Sequence, residues 1–136
     1  MSVVIQEEVT GCGIASAANI LGLSYAEVKA KANAIGIFAT DEALFSDTEY
    51  MRRLLDAYGV KTSADESIFT SWEALPDIAL LAIKHHYENG KPFWHWVVFK
   101  RTSTEGTVLD SAAYLDNNEI TDCSAIKPKW YISVSI

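Results

Sequence analysis

Near residue 60 the sequence changes its period. Before that point apolar residues recur three and four apart; after it they alternate or run together. A chain that switches once in this way is expected to place its helices first and an antiparallel sheet second, an α+β arrangement. "CGIASAANILG" reads as a short helix closed by Gly22. Ser24 is an N-cap for "YAEVKAKANAIG", with Glu27 at the capping-box position and Gly36 at the end. Asp47 or Ser46 caps "TEYMRRLLDAYG", where Met51, Leu54, Leu55 and Tyr58 form one apolar stripe and Gly59 stops it. Beyond residue 60, "DIALLAIKHHY" is a buried strand, "ENGK" a turn and "FWHWVVFKRT" an aromatic, β-branched strand. "STEG" is a second turn, and "TVLDSAAY" and "KWYISVSI" are further strands.

With 136 residues, 49% of them hydrophobic, the chain is expected to form one domain, 1–136, with a packed core. The formal net charge of −7 argues against nucleic acid as a partner, and the richest basic spot, Lys100-Arg101, is only a pair. No apolar run reaches transmembrane length, and "MSVVIQEEV" lacks the positive region of a signal peptide, so no membrane partner is expected. The two cysteines, Cys12 and Cys123, match neither a disulfide framework nor a metal-ligand spacing. Both are expected to be reduced, in the cytoplasm, with no metal and no cofactor.

Nucleophilic cysteine chemistry needs a thiolate, a base, a group that orients the base, and donors for an oxyanion. Cys12 stands where the first helix begins, and helix N-termini stabilise thiolates. Gly11 and Gly13 flank it and leave room for a substrate backbone. The Cys12 N–H and the side-chain amide of Gln6, six residues earlier, are candidate oxyanion donors. His95 opens the aromatic strand; alternation puts it on one face with Val97 and Phe99, and Trp94, Trp96 and Val98 on the other. An Asp inside an apolar strand needs a partner, and an even-membered hairpin loop puts Asp110 on the face of His95. A two-residue turn would set the two directly opposite. The residues alone equally allow a packed His95 and an Asp110 that only ties down backbone N–H groups.

Gln6, then Cys12-Gly13 after five residues, a small-residue helix, and "HWVVF" and "VLDS" in that order resemble the papain-like cysteine peptidases. Within them the likeness is to the double-glycine leader peptidase-like branch, whose members cut leader peptides from bacteriocins or stand alone as small domains. The apolar "IALLAI" before the His segment fits that branch too, and the resemblance spans roughly residues 5–112. It implies Gln6 in the oxyanion hole, Cys12 as nucleophile, His95 as base and Asp110 as its orienting residue. It implies a helical half carrying the Cys and a sheet half carrying the His and Asp, with the cleft between. Where the family usually has proline after the Asp, this chain has Ser111.

The function expected is therefore hydrolysis of an amide bond in a peptide or protein through a Cys12 thioester. Deamidation or acyl transfer uses the same groups, and a catalytically silent peptide-binding domain is the non-enzymatic alternative. The His85-His86 doublet cannot chelate together, because neighbours in a strand point to opposite faces. Cys123 and the tryptophans Trp72, Trp94, Trp96 and Trp130 are expected in the core, with Trp96 also able to wall the cleft. Glu7 and Glu8 are expected to face solvent or to line the cleft, where they would favour basic substrates.

Overall fold

The computed structural model describes residues 3–7, 11–41, 47–102 and 105–135. Among the described residues three helices come first: α1 (Cys12–Leu21), α2 (Tyr25–Ala34) and α3 (Glu49–Asp56). Seven strands follow: β1 (Lys61–Thr62), β2 (Ser67–Ile68), β3 (Ile78–Glu88), β4 (Lys91–Thr102), β5 (Glu105–Leu109), β6 (Glu119–Ile120) and β7 (Trp130–Ser135). All described pairings are antiparallel, in the order β1-β7-β3-β4-β5-β6, with β2 also on β7. No described helix is long and apolar enough to cross a membrane.

The helix ends follow local chemistry. Gly22 takes φ 71° and donates to Ala18 O at 2.8 Å, closing α1 in the left-handed conformation that glycine tolerates. Ser24 Oγ accepts from the Glu27 N–H at 3.1 Å and donates to Glu27 Oε1 at 3.1 Å. At α3 the cap position belongs to Thr48, whose hydroxyl serves Glu66 and Arg52; Asp47 Oδ1 accepts from the Glu49 N–H at 3.0 Å instead. Ser46, the other candidate cap, lies outside the described residues. Asn89 and Gly90, both at positive φ, make the tight β3–β4 turn.

The third hairpin strand differs from expectation. It starts at Glu105 and ends at Leu109, so Asp110 lies just past it, and "SAAY" is not part of a strand. The cause is local: Asp110 Oδ1 accepts from the Ala112 N–H at 3.0 Å, which curls the chain away from the ladder. The two-residue strands β1, β2 and β6 have no pattern long enough to read in sequence.

Strand alternation divides the core. Leu80, Trp96, Val98 and Ile132 face the helices, packing on Ile14, Val28, Met51 and Leu54. Leu81, Ile83, Val97, Phe99 and Val108 face the other way, covered by Trp72, Leu75, Ile120 and Tyr131. Burying one such aliphatic side chain is worth about 1.5–3 kcal/mol. Residues 13–20 of α1 are buried throughout, so the helix runs through the middle of the helical layer. Its alanines let the neighbouring elements close in.

Buried Asn19 on α1 holds the N-terminal strap. Its Oδ1 accepts from the Val4 N–H at 2.7 Å and its Nδ2 donates to Val4 O at 3.2 Å. Asn19→Ala leaves both groups of Val4 unpaired and is expected to cost about 1–3 kcal/mol, read as a lowered unfolding midpoint in urea. A variant as stable as the wild type would show that the strap is not held there.

Candidate active site

Helix α1 lies along β4. Buried Ser16 Oγ donates to Trp96 O at 3.3 Å, and Lys100 Nζ donates to Asn19 O at 2.7 Å. Running back one turn from Ser16 brings the helix start, Cys12, to the level of His95. Gly11 is the N-cap, and its carbonyl accepts the first helical bond, from Ala15 N–H at 3.0 Å. The Cys12 N–H therefore lacks an intrahelical partner. Cys12 itself is half-buried and carries a free thiol, as does Cys123.

Gly13 serves a purpose other than substrate access. It is buried, and a Cβ there would collide with the Tyr50 hydroxyl. The space belongs to Tyr50, whose oxygen takes a hydrogen bond from Trp96. Burial, and then the charge of Cys12, push the Tyr50 pKa well above its ordinary value against that bond, so the phenol stays neutral beside the thiol. Tyr50 escapes sequence reading because it belongs to an ordinary apolar helix face.

His95 lies where β4 has an open edge: pairing with β5 stops at Val98↔Leu109. Alternation sets it with Val97 and Phe99, on the face away from α1, and yet its ring hydrogen-bonds the Cys12 side chain. The uncovered edge makes that contact possible. The ring's Nε2 meets Asp110 Oδ1 at 2.7 Å, and the two side chains are only 16% and 6% exposed. Nδ1 is thus the nitrogen left for the thiol. Asp110 and His95 are not directly opposite. The ladder pairs Thr102 with Glu105, a register that aims Asp110 toward Val97, so the carboxylate reaches the imidazole diagonally.

Burial opposes a charge on His95. The Asp110 hydrogen bond and the Cys12 side chain outweigh it and raise the pKa from 6.5 to about 9. Burial likewise opposes the Asp110 carboxylate, but the His95 bond and charge, the Ala112 N–H and the charge of Lys84 hold its pKa below the ordinary value.

Gln6 reaches this site from the N-terminal strap. Its backbone N–H donates to Ser111 O at 3.0 Å, and its side-chain Oε1 accepts from Ser111 Oγ at 2.9 Å. Gln6 and His95 share a cavity of about 400 Å³ with Glu7, Lys84, Ala112, Ala113 and Tyr114. Glu7 thus lines the cleft; Glu8 lies outside the described residues. Lys84 sits in a β-bulge at φ 53° and bonds the Tyr114 hydroxyl. A second cavity, about 370 Å³, lies on the far face of the sheet beside Trp72, Glu73, Phe99, Arg101 and Cys123, with no histidine among the described residues that line it.

The remaining residues stay apart from this group. His85 stacks on Trp94, and exposed His86 pairs with Glu88 at 2.8 Å. Cys123 is half-buried, donates to Ile120 O and has its pKa raised by burial and by Asp122. Trp96 is buried; Trp72, Trp94 and Trp130 are half-buried at the core margin. Among the described residues no three His, Cys, Asp or Glu side chains gather as metal ligands.

No protein-family model matches the chain, and no curated protein does. Among solved structures it is similar to one described as a double-glycine motif protease from an AMS/PCAT transporter in complex with the leader peptide. The match covers 98% of this chain and 89% of that one, with a TM-score of 0.61 and 14% sequence identity. The likeness is one of fold, a set of helices followed by an antiparallel sheet.

The His95 pKa makes a signed prediction. Because it is raised above the ordinary 6.5, the ring's interactions stabilise the fold fully below that pH and are lost as pH rises through about 9. In an NMR titration the His95 ring should titrate near 9, and Asp110→Asn should lower that midpoint. A wild-type midpoint at or below 6.5 would contradict this electrostatic account.

Proposed function

We propose that residues 1–136 form one papain-like cysteine hydrolase that cleaves an amide bond in a peptide or protein, in the cytoplasm. One imidazole carries this reading: His95 meets Cys12 on one side and buried Asp110 on the other. A charged ring at neutral pH, as its raised pKa requires, fits a group that gives a proton to a leaving amine.

In this mechanism the Cys12 thiolate attacks the scissile carbonyl carbon. An S–C bond forms, and the carbonyl oxygen takes up the negative charge. The Cys12 N–H and the Gln6 side-chain amide donate to that oxygen. As the C–N bond breaks, His95 gives its Nδ1 proton to the leaving amine. The neutral ring then takes a proton from water, whose oxygen bonds the thioester carbon; the S–C bond breaks, releasing the acid and restoring the Cys12 thiolate. Asp110 fixes the ring through Nε2 and stabilises its charged form.

The fold supports this reading, since the solved protein of similar architecture holds a leader peptide. His95 would protonate the leaving amine, so the cavity it shares with Gln6, Glu7 and Lys84 takes the leaving-group side of the substrate.

A mixed peptide library, analysed by mass spectrometry, tests the proposal. The wild type should generate new termini within a common sequence context, Cys12→Ala none, and His95→Ala at least about a hundredfold fewer per unit time. A folded wild type that binds peptides and cuts none would favour the silent binding domain; release of ammonia without cleavage would favour deamidation.

A further inference from the structure

We propose that Ser111 is a positioning residue that aims the side-chain amide of Gln6 into the oxyanion hole; this rests on the reading of Gln6 as an oxyanion donor.

An amide side chain has two ends of opposite character. Its carbonyl accepts and its NH2 donates. A Gln serves an oxyanion only with the NH2 end forward; turned over, it presents a carbonyl oxygen that repels the developing charge. Ser111 resolves this choice. Its hydroxyl donates to Gln6 Oε1 at 2.9 Å, engaging the carbonyl end and turning the NH2 end away from Ser111. The Ser111 carbonyl meanwhile accepts the Gln6 backbone N–H at 3.0 Å, so main chain and side chain of residue 6 rest on the same residue.

Ser111 can act as a fixed reference because it is buried between hydrogen-bonded neighbours. It is 0% exposed. On one side of it Asp110 N–H donates to Asn118 O at 2.9 Å, and Asn118 Nδ2 returns a bond to Asp110 O at 2.7 Å. On the other side the same Nδ2 donates to Ala112 O at 2.8 Å, and Ala112 N–H donates to Asp110 Oδ1 at 3.0 Å. The next residue back in the chain, Asp110, holds His95. One clamped tripeptide therefore sets both the base and the oxyanion donor, and a shift of one would carry the other.

Two reagents separate this role from a structural one. With p-nitrophenyl acetate, Cys12 Sγ attacks the ester carbonyl, an S–C bond forms, the C–O bond breaks and p-nitrophenolate leaves; charge builds on the carbonyl oxygen between. Iodoacetamide is attacked at its CH2 carbon with loss of iodide, and no oxyanion forms. Ser111→Ala and Gln6→Ala should each slow acylation of Cys12 by about tenfold or more, while alkylation stays within about twofold of wild type. The double variant should acylate no more slowly than Gln6→Ala alone, because Ser111 acts only through Gln6. Ser111→Thr, which keeps the hydroxyl, should acylate faster than Ser111→Ala; should the Ala variant fail to fold, Ser111→Gly, which also lacks the hydroxyl, takes its place in every comparison. Normal acylation by a folded Ser111→Ala beside a slow Gln6→Ala overturns the proposal, as do additive losses in the double variant. If Gln6→Ala itself acylates at the wild-type rate, the oxyanion reading of Gln6 fails and the Ser111 role falls with it.

Discussion

A carboxylate with 6% of its side chain exposed is expensive unless every lone pair is served, and Asp110 is such a group. Its Oδ1 takes the His95 ring at 2.7 Å and the Ala112 N–H at 3.0 Å. Both demands shape the chain. The bond to Ala112 forces the turn that ends β5, and the end of β5 uncovers the edge of β4 where His95 stands. Without that open edge, the imidazole would be confined to the sheet face away from α1. The same buried bond thus creates the gap through which a helix-borne thiol and a strand-borne ring meet.

The helical layer supplies the other half. α1 is buried on all sides from Gly13 to Ile20, so Cys12 is presented by a rigid element rather than by a loop. Ser16 and Asn19 fix its height along β4, and Asn19 also ties down the strap that carries Gln6. Gly13 gives up a side chain so that Tyr50 can close the space beside the thiol, where burial keeps the phenol from ionising.

The break in periodicity near residue 60 carried the architecture, because capped, glycine-stopped segments before it and aromatic, β-branched runs after it leave little choice of element. The helix stops at Gly22 and the Ser24 cap were legible for the same reason: each is a local bond. Two things were not. The length of "TVLDSAAY" depends on Asp110 folding back on Ala112, and side-chain capture of a backbone N–H has no period to read. The register of β4 and β5 depends on residues at the hairpin end, so alternation gave the shared side of His95 and Asp110 and left their stagger open; the structure sets them across a diagonal. The glycines around Cys12 were visible, but Gly13 answers to Tyr50, 37 residues away and in another helix. Ser111 looked like a mere departure from the family pattern; its bond to Gln6 spans 105 residues and appears only once the fold closes.

The central claim is that His95 activates Cys12. Competitive labelling of the folded protein with iodoacetamide at neutral pH tests it most directly, because both thiols are free and half-buried and serve as each other's control. Cys12 should be alkylated at least about tenfold faster than Cys123, whose thiol is held protonated by burial and Asp122, and His95→Ala should remove most of that advantage. Equal labelling of the two cysteines, or a Cys12 rate indifferent to His95→Ala, would contradict the account.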